Sequence, residues 1–184
     1  CSSQAGGSDK DIVSVNGVGN TSAGACDGPD SDAITVPGVK LIKAGDTVIF
    51  QLNICNGSGT APINGLSVTD TMNNLTPLAR YSYTGACVGS PNPAQSGSNG
   101  NYTLTFTFGG NFNLAAAATC SVTYSATVTT PTPSTQAFQH FQNFAEIKGN
   151  DGGNGNTLDF IRKTGLIIFQ TGNFTSGSRH ETTP

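Results

Sequence analysis

Residues 101–108 read Asn-Tyr-Thr-Leu-Thr-Phe-Thr-Phe. Tyr102, Leu104, Phe106 and Phe108 alternate with Thr103, Thr105 and Thr107. That period of two puts one side of an extended strand into a core and leaves the other to water. The pattern returns at Cys120, Val122, Tyr124, Ala126 and Val128, separated by Ser and Thr. It is also present at Val48, Phe50, Leu52 and Ile54, with Thr47, Gln51, Asn53 and Cys55 in the opposite set. Segments of this kind are half-buried antiparallel strands, and they make the chain all-β.

Outward from these strands the signals weaken. Ala33–Ile42 carries β-branched residues broken by Pro37-Gly38, as in a bent edge strand. The turn Asn56–Thr60 leads into Ile63–Thr71, where Leu66 and Val68 share a face, and Tyr81 and Tyr83 mark another short strand. Phe138, Phe141, Phe144 and Ile147 recur every third residue, which also suits a short helix, so a strand is expected only over Asn143–Lys148. Thr157–Gln170 is a long β candidate whose Leu166–Phe169 run is apolar on both faces, as in the middle of a sheet or under a partner.

The 184 residues have room for one sandwich plus arms. The expected division is an N-terminal arm and loop over 1–32 with a donor strand at 11–18, a sandwich over 33–170 and a tail over 171–184. Only 10% of residues are charged, and 8 basic residues against 11 acidic ones give a net charge of -3. Such a chain offers no basic stripe to a phosphate backbone, and nucleic acid is not an expected partner. No apolar run approaches the roughly 20 residues needed to cross a bilayer as a helix.

Cysteines stand at 1, 26, 55, 87 and 120 without a C-x-x-C pair, which argues against a zinc site and for disulfides in an oxidising, extracellular setting. Cys26 with Cys55 and Cys87 with Cys120 are the favoured pairs, being near in sequence, although four cysteines permit other pairings. Cys1, followed by Ser2-Ser3, resembles the lipid-bearing cysteine of a processed bacterial lipoprotein. A bond to a second chain, or an arbitrary start of the sequence, remains open beside that reading.

Ala44-Gly-Asp-Thr-Val-Ile-Phe50, Asn56-Gly-Ser-Gly-Thr-Ala61 and Leu66-Ser-Val-Thr-Asp-Thr71, followed by Leu114–Val128 and Asn143-Phe-Ala-Glu-Ile147, resemble a conserved repeat of bacterial and archaeal surface proteins. The family is that called domain of unknown function eleven, and the resemblance spans roughly residues 33 to 170. It implies a Greek-key, immunoglobulin-like sandwich of about 7–9 strands, in stalks, adhesins and envelope proteins, with no catalytic residues or cofactor. Surface sandwiches of this kind sometimes carry a Lys-to-Asn isopeptide cross-link beside an acid, and Lys43, Asp70 and Asn143 supply the residue types.

Other sites weigh less. His140 and His180 lie in no nucleophile-elbow or comparable setting, so catalysis is not expected. Asp27, Asp30 and Asp32, or Asn150 and Asp151 with Asn154, offer oxygen ligands to calcium, but Asp and Asn serve more often as turn formers. Glycosylation sequons begin at Asn20, Asn56, Asn74, Asn101 and Asn173. Phe138, Phe141, Phe144 and Phe174 suit either a buried interface or an adhesive rim.

A single sandwich must protect its own edge strands, and polymerisation is one way. The expected function is therefore a homopolymeric extracellular filament subunit, with residues 11–18 or the segment from Thr157 added as a strand to a neighbour. A monomeric lipoprotein or adhesin binding glycan or protein is the alternative.

Overall fold

The computed structural model describes residues 7–19, 42–57, 61–108, 111–129, 138–152, 157–163, 166–170 and 181–182. Its strands are β1 (Gly7–Val15), β2 (Val18–Gly19), β3 (Ile42–Lys43), β4 (Thr47–Cys55), β5 (Ile63–Asn73), β6 (Leu75–Gly85) and β7 (Ala94–Ser98). They continue with β8 (Asn101–Thr107), β9 (Asn113–Leu114), β10 (Thr119–Val128), β11 (Phe138–Asp151), β12 (Thr157–Lys163), β13 (Leu166–Gln170) and β14 (Glu181–Thr182).

The fold is an all-β sandwich of two sheets. The first runs β2-β1-β4-β10-β6, and the second runs β14-β13-β11-β5-β8-β7 with β12 beside β11. The orders β1-β4-β10-β6 and β12-β11-β5 correspond to the two sheets of an immunoglobulin-like domain. The alternation that defined the class points inward as read: Val48, Phe50, Leu52 and Ile54 from one sheet meet Leu104 and Phe106 from the other, all 3% exposed or less. Two hairpins turn on Asn-Gly pairs, Asn16-Gly17 and Asn99-Gly100, all with positive φ as a two-residue type I′ turn demands.

The N-terminal segment corrects the expected division. Residues 7–15, taken as arm and donor strand, pair antiparallel with β4 of the same chain from Gly7↔Cys55 to Val15↔Val48. A bulge between Ile12 and Ser14 resets the alternation, so that Ile12 and Val15 are both fully buried although three residues apart. Segment 157–170 likewise pairs at home: β12 and β13 both lie against β11, and β14, from the expected tail, pairs with β13.

Two strands are longer than expected. β6 extends over eleven residues rather than the neighbourhood of Tyr81 and Tyr83, and β11 is continuous strand from Phe138. In β11 the residues at Asn143, Ala145 and Ile147 are buried and Phe144 is half-buried, so the apparent period of three mixed the two faces of one strand.

Candidate functional site

Three polar residues sit at inward positions where the alternation calls for apolar ones. Lys10 on β1 precedes Ile12; Asp70 on β5 lies between Val68 and Met72; Asn143 on β11 precedes Ala145. Lys10, Asp70 and Asn143 are each fully buried. Register places Lys10 opposite Leu52 in the first sheet and Asp70 opposite Leu104 and Ala145 in the second, so the cluster bridges the sheets through the core.

Lys10 Nζ donates hydrogen bonds to Asp70 Oδ2 and to Asn143 Oδ1. Tyr124 Oη, on β10, donates to the same Asp70 Oδ2 at 2.6 Å. The amine lies 5.3 Å from the Tyr124 ring centroid and 5.6 Å from that of Phe50, and Phe106 packs against Tyr124 with centroids 5.6 Å apart. Burial holds the Asp70 carboxyl above its ordinary value of 3.8, against the opposing pull of Lys10, the hydrogen bonds from Lys10 and Tyr124, and the nearby Asn143 amide. Burial, and then the Asp70 charge, push the Tyr124 hydroxyl well above its ordinary 10. The cluster thus brings together an amine, a primary amide carbonyl and an acid whose burial favours its protonated form, all screened from water by rings.

The lysine expected in such a cluster was Lys43, and the structure corrects this to Lys10. Lys43 lies on β3, which pairs with β13 and is not a neighbour of β5. Asp70 and Asn143 are the acid and the amide, as their types suggested. Lys10 lies where the Ser- and Gly-rich start of the chain meets the Asp11–Val15 segment, and no local alternation marks it as inward. The signal that finds all three residues is a polar side chain at an inward position of an otherwise apolar alternation.

Cys87 and Cys120 form a disulfide, with Cα atoms 5.1 Å apart, and both are fully buried. Cys55 is also disulfide-bonded. Asn56 is only 8% exposed, and its Nδ2 donates to the Ala61 and Leu114 carbonyls, so that sequon is occupied by structure and does not suit a glycan. Asn74 is half-buried, with φ +57°, and Asn101 is exposed. Cys1, Cys26, Asn20, Asn173, Asp27, Asp30, Asp32, Asn154, Phe174 and His180 lie outside the described residues. Phe138, Phe141 and His140 lie on β11, and Asn150 and Asp151 end that strand.

Fold and cluster define an immunoglobulin-like sandwich with a buried Lys-Asp-Asn set joining its sheets. Among solved structures, the chain is similar to the major pilin subunit BcpA of Bacillus cereus, with a TM-score of 0.50 and 12% identity over 90% of this chain and 40% of that one. It is also similar to the full-length RrgB pilus protein of Streptococcus pneumoniae (TM-score 0.49, 18% identity, 80% of this chain and 23% of that one). A further match is the full-length major pilin SpaD of Corynebacterium diphtheriae (TM-score 0.49, 10% identity, 71% of this chain and 32% of that one). The chain therefore spans less than half the length of these proteins, and at such identities the likeness is one of fold. No family model matches the chain, and no curated protein matches it in sequence.

Proposed function

We propose that this chain is a tension-carrying module of a pilus-like cell-surface fibre that closes its own sandwich with an amide bond between Lys10 and Asn143. The observation that carries the proposal is the buried Lys10-Asp70-Asn143 set, which connects the first strand of one sheet to β11 of the other.

The chemistry needs no cofactor. Proton transfer from the Lys10 ammonium to Asp70 gives a neutral pair, which a water-excluded site favours. The neutral Nζ attacks Asn143 Cγ, forming the new C–N bond. Asp70 passes a proton to Asn143 Nδ2, the Cγ–Nδ2 bond breaks, and ammonia leaves. The acid is restored once it has taken one of the two protons left on Nζ, the other staying on the new amide nitrogen. The net change is a primary amide plus an amine giving a secondary amide plus ammonia. Holding the reactants in contact on two packed sheets supplies the effective concentration that free side chains lack.

Intact-mass measurement of the purified protein tests this directly. The expected mass is lower than that of the sequence, after its disulfides, by one ammonia, and digestion yields a branched peptide joining residues 10 and 143. An unmodified Lys10 and Asn143 in folded protein would sink the proposal.

Assembly is the second part of the proposal, supported at the level of fold by the pilin structures. Strand addition by residues 11–18 would require the β1–β2 hairpin to leave its own sheet and fill the same slot in a neighbour, as in domain swapping. Lys10 would then meet the neighbour's Asn143. Lys10→Ala chains mixed during refolding with Asn143→Ala chains are expected to give covalent dimers on a denaturing gel if the hairpin is exchanged. Monomers alone would leave a self-contained module joined to its neighbours by other surfaces.

A further inference from the structure

The Asp70 carboxyl is not served evenly. Its Oδ2 accepts from both Lys10 Nζ and Tyr124 Oη, whereas Oδ1 is buried with no hydrogen-bond partner among the described residues. Tyr124 is 1% exposed, and its ring covers the amine that must react.

An acid beside an amine has two neutral arrangements. With its proton on Oδ2, facing Lys10, it donates into the Nζ lone pair and blocks attack. With the proton on Oδ1, the lone pair is open and the proton is available to the leaving nitrogen. A hydroxyl donating to Oδ2 withdraws electron density from that oxygen and makes it the poorer base.

We propose that Tyr124 is a positioning residue for amide closure: its hydroxyl, donated to Asp70 Oδ2, directs the acid's proton to Oδ1 and leaves the Lys10 lone pair free for Asn143 Cγ. The inference rests on the proposed Lys10–Asn143 amide. Tyr124 also holds the carboxyl down against burial, so losing its hydroxyl raises Asp70 further. The alkaline limb of the closure rate, where Asp70 gives up its proton, then moves to higher pH.

The test follows closure in real time. Chains isolated in denaturant, before the site assembles, are refolded by dilution across a pH series, and loss of ammonia is followed by intact mass. Folding is checked by formation of the Cys87–Cys120 disulfide. Tyr124→Phe keeps the ring and is expected to slow closure roughly tenfold, short of the roughly hundredfold or greater loss expected on removing the acid. It is also expected to move the alkaline limb upward. Phe50→Leu, which thins the ring cover without touching the carboxyl, is expected to slow closure with no upward movement of the limb, since less burial lowers Asp70.

A Tyr124→Phe protein that closes at the wild-type rate, or one slowed with its limb in place, overturns the inference and leaves the amide standing. A wild-type chain that never loses ammonia takes both down. If Tyr124→Phe does not refold, a fluorinated tyrosine placed at 124 keeps the hydroxyl and makes it a stronger donor. It must then shift the limb to lower pH, and an unmoved limb overturns the inference.

Discussion

The molecule has two buried places where distant residues are bound or poised to be bound, and they differ in what they hold together. Cys87 and Cys120 are 33 residues apart, and their bond ties the residues just after β6 to β10, a strand with which β6 is already paired in the same sheet. Lys10 and Asn143 are 133 residues apart and lie on different sheets. In loop entropy the difference is small, since 1.5 RT times the logarithm of 133 over 33 is only about 1 kcal/mol. In mechanics it is large, because the disulfide reinforces a seam that hydrogen bonds already close, while the proposed amide would join layers held otherwise mainly by apolar packing. Both cysteines also lie between residues 10 and 143, so a pull on the chain ends would reach the proposed amide first.

The sharpest break in this comparison comes from pulling single molecules by their ends. Lys10→Met removes the nucleophile, and burial favours a neutral Asp70 in its place. The variant is expected to unravel the 133-residue span less the 33 residues that the Cys87–Cys120 disulfide keeps shut, adding at most about 340 Å at about 3.4 Å per residue, whereas a wild type closed by the amide would release none of it. Equal extensions would remove the mechanical role of the cluster.

Asp70→Ala is the next largest change. It leaves the Lys10 amine buried without its acid, a loss of about 3–5 kcal/mol for a broken buried pair, and closure stops as well. Chemical denaturation with intact mass on the same sample reads both effects, and retained ammonia loss in this variant would show that the acid is not needed. The double change Cys87→Ala with Cys120→Ala should cost about 2–4 kcal/mol in denaturant without altering the pulling length of the closed protein.

The smallest expected effect belongs to the disulfide end of the sandwich. Burial, and then Tyr81, push the Tyr83 hydroxyl up to about 12, and it donates to the Pro91 carbonyl at 2.7 Å. A folded value above the ordinary 10 means that the neutral form is favoured by folding, so this contribution is intact below pH 10 and falls away as pH rises toward 12. Tyr83→Phe should flatten part of the alkaline fall in stability, measured as unfolding midpoint against pH.

Sequence reasoning reached the parts of the fold where one face meets water and the other meets the core. β4, β8 and β10 were legible because Thr, Ser, Gln and Asn alternate with large apolar residues. It failed at β1, where a lysine occupies an inward position and a bulge shifts the count, and at β11, where Phe144 stands on the outer face and imitates a helical repeat. The acid and amide of the cluster were found by type, but the lysine was not, because pairing of β1 with β4 is a tertiary fact that local composition does not announce.

The chain order of the cluster has a consequence for wear. With the amide in place, residues 10 to 143 form a closed ring with a tail at each end, and the direct route between the tails is a single side-chain bond. A protease that cuts anywhere inside the ring opens it without separating the tails. A fibre built from such modules would tolerate a nick in each of them and still hold as one thread.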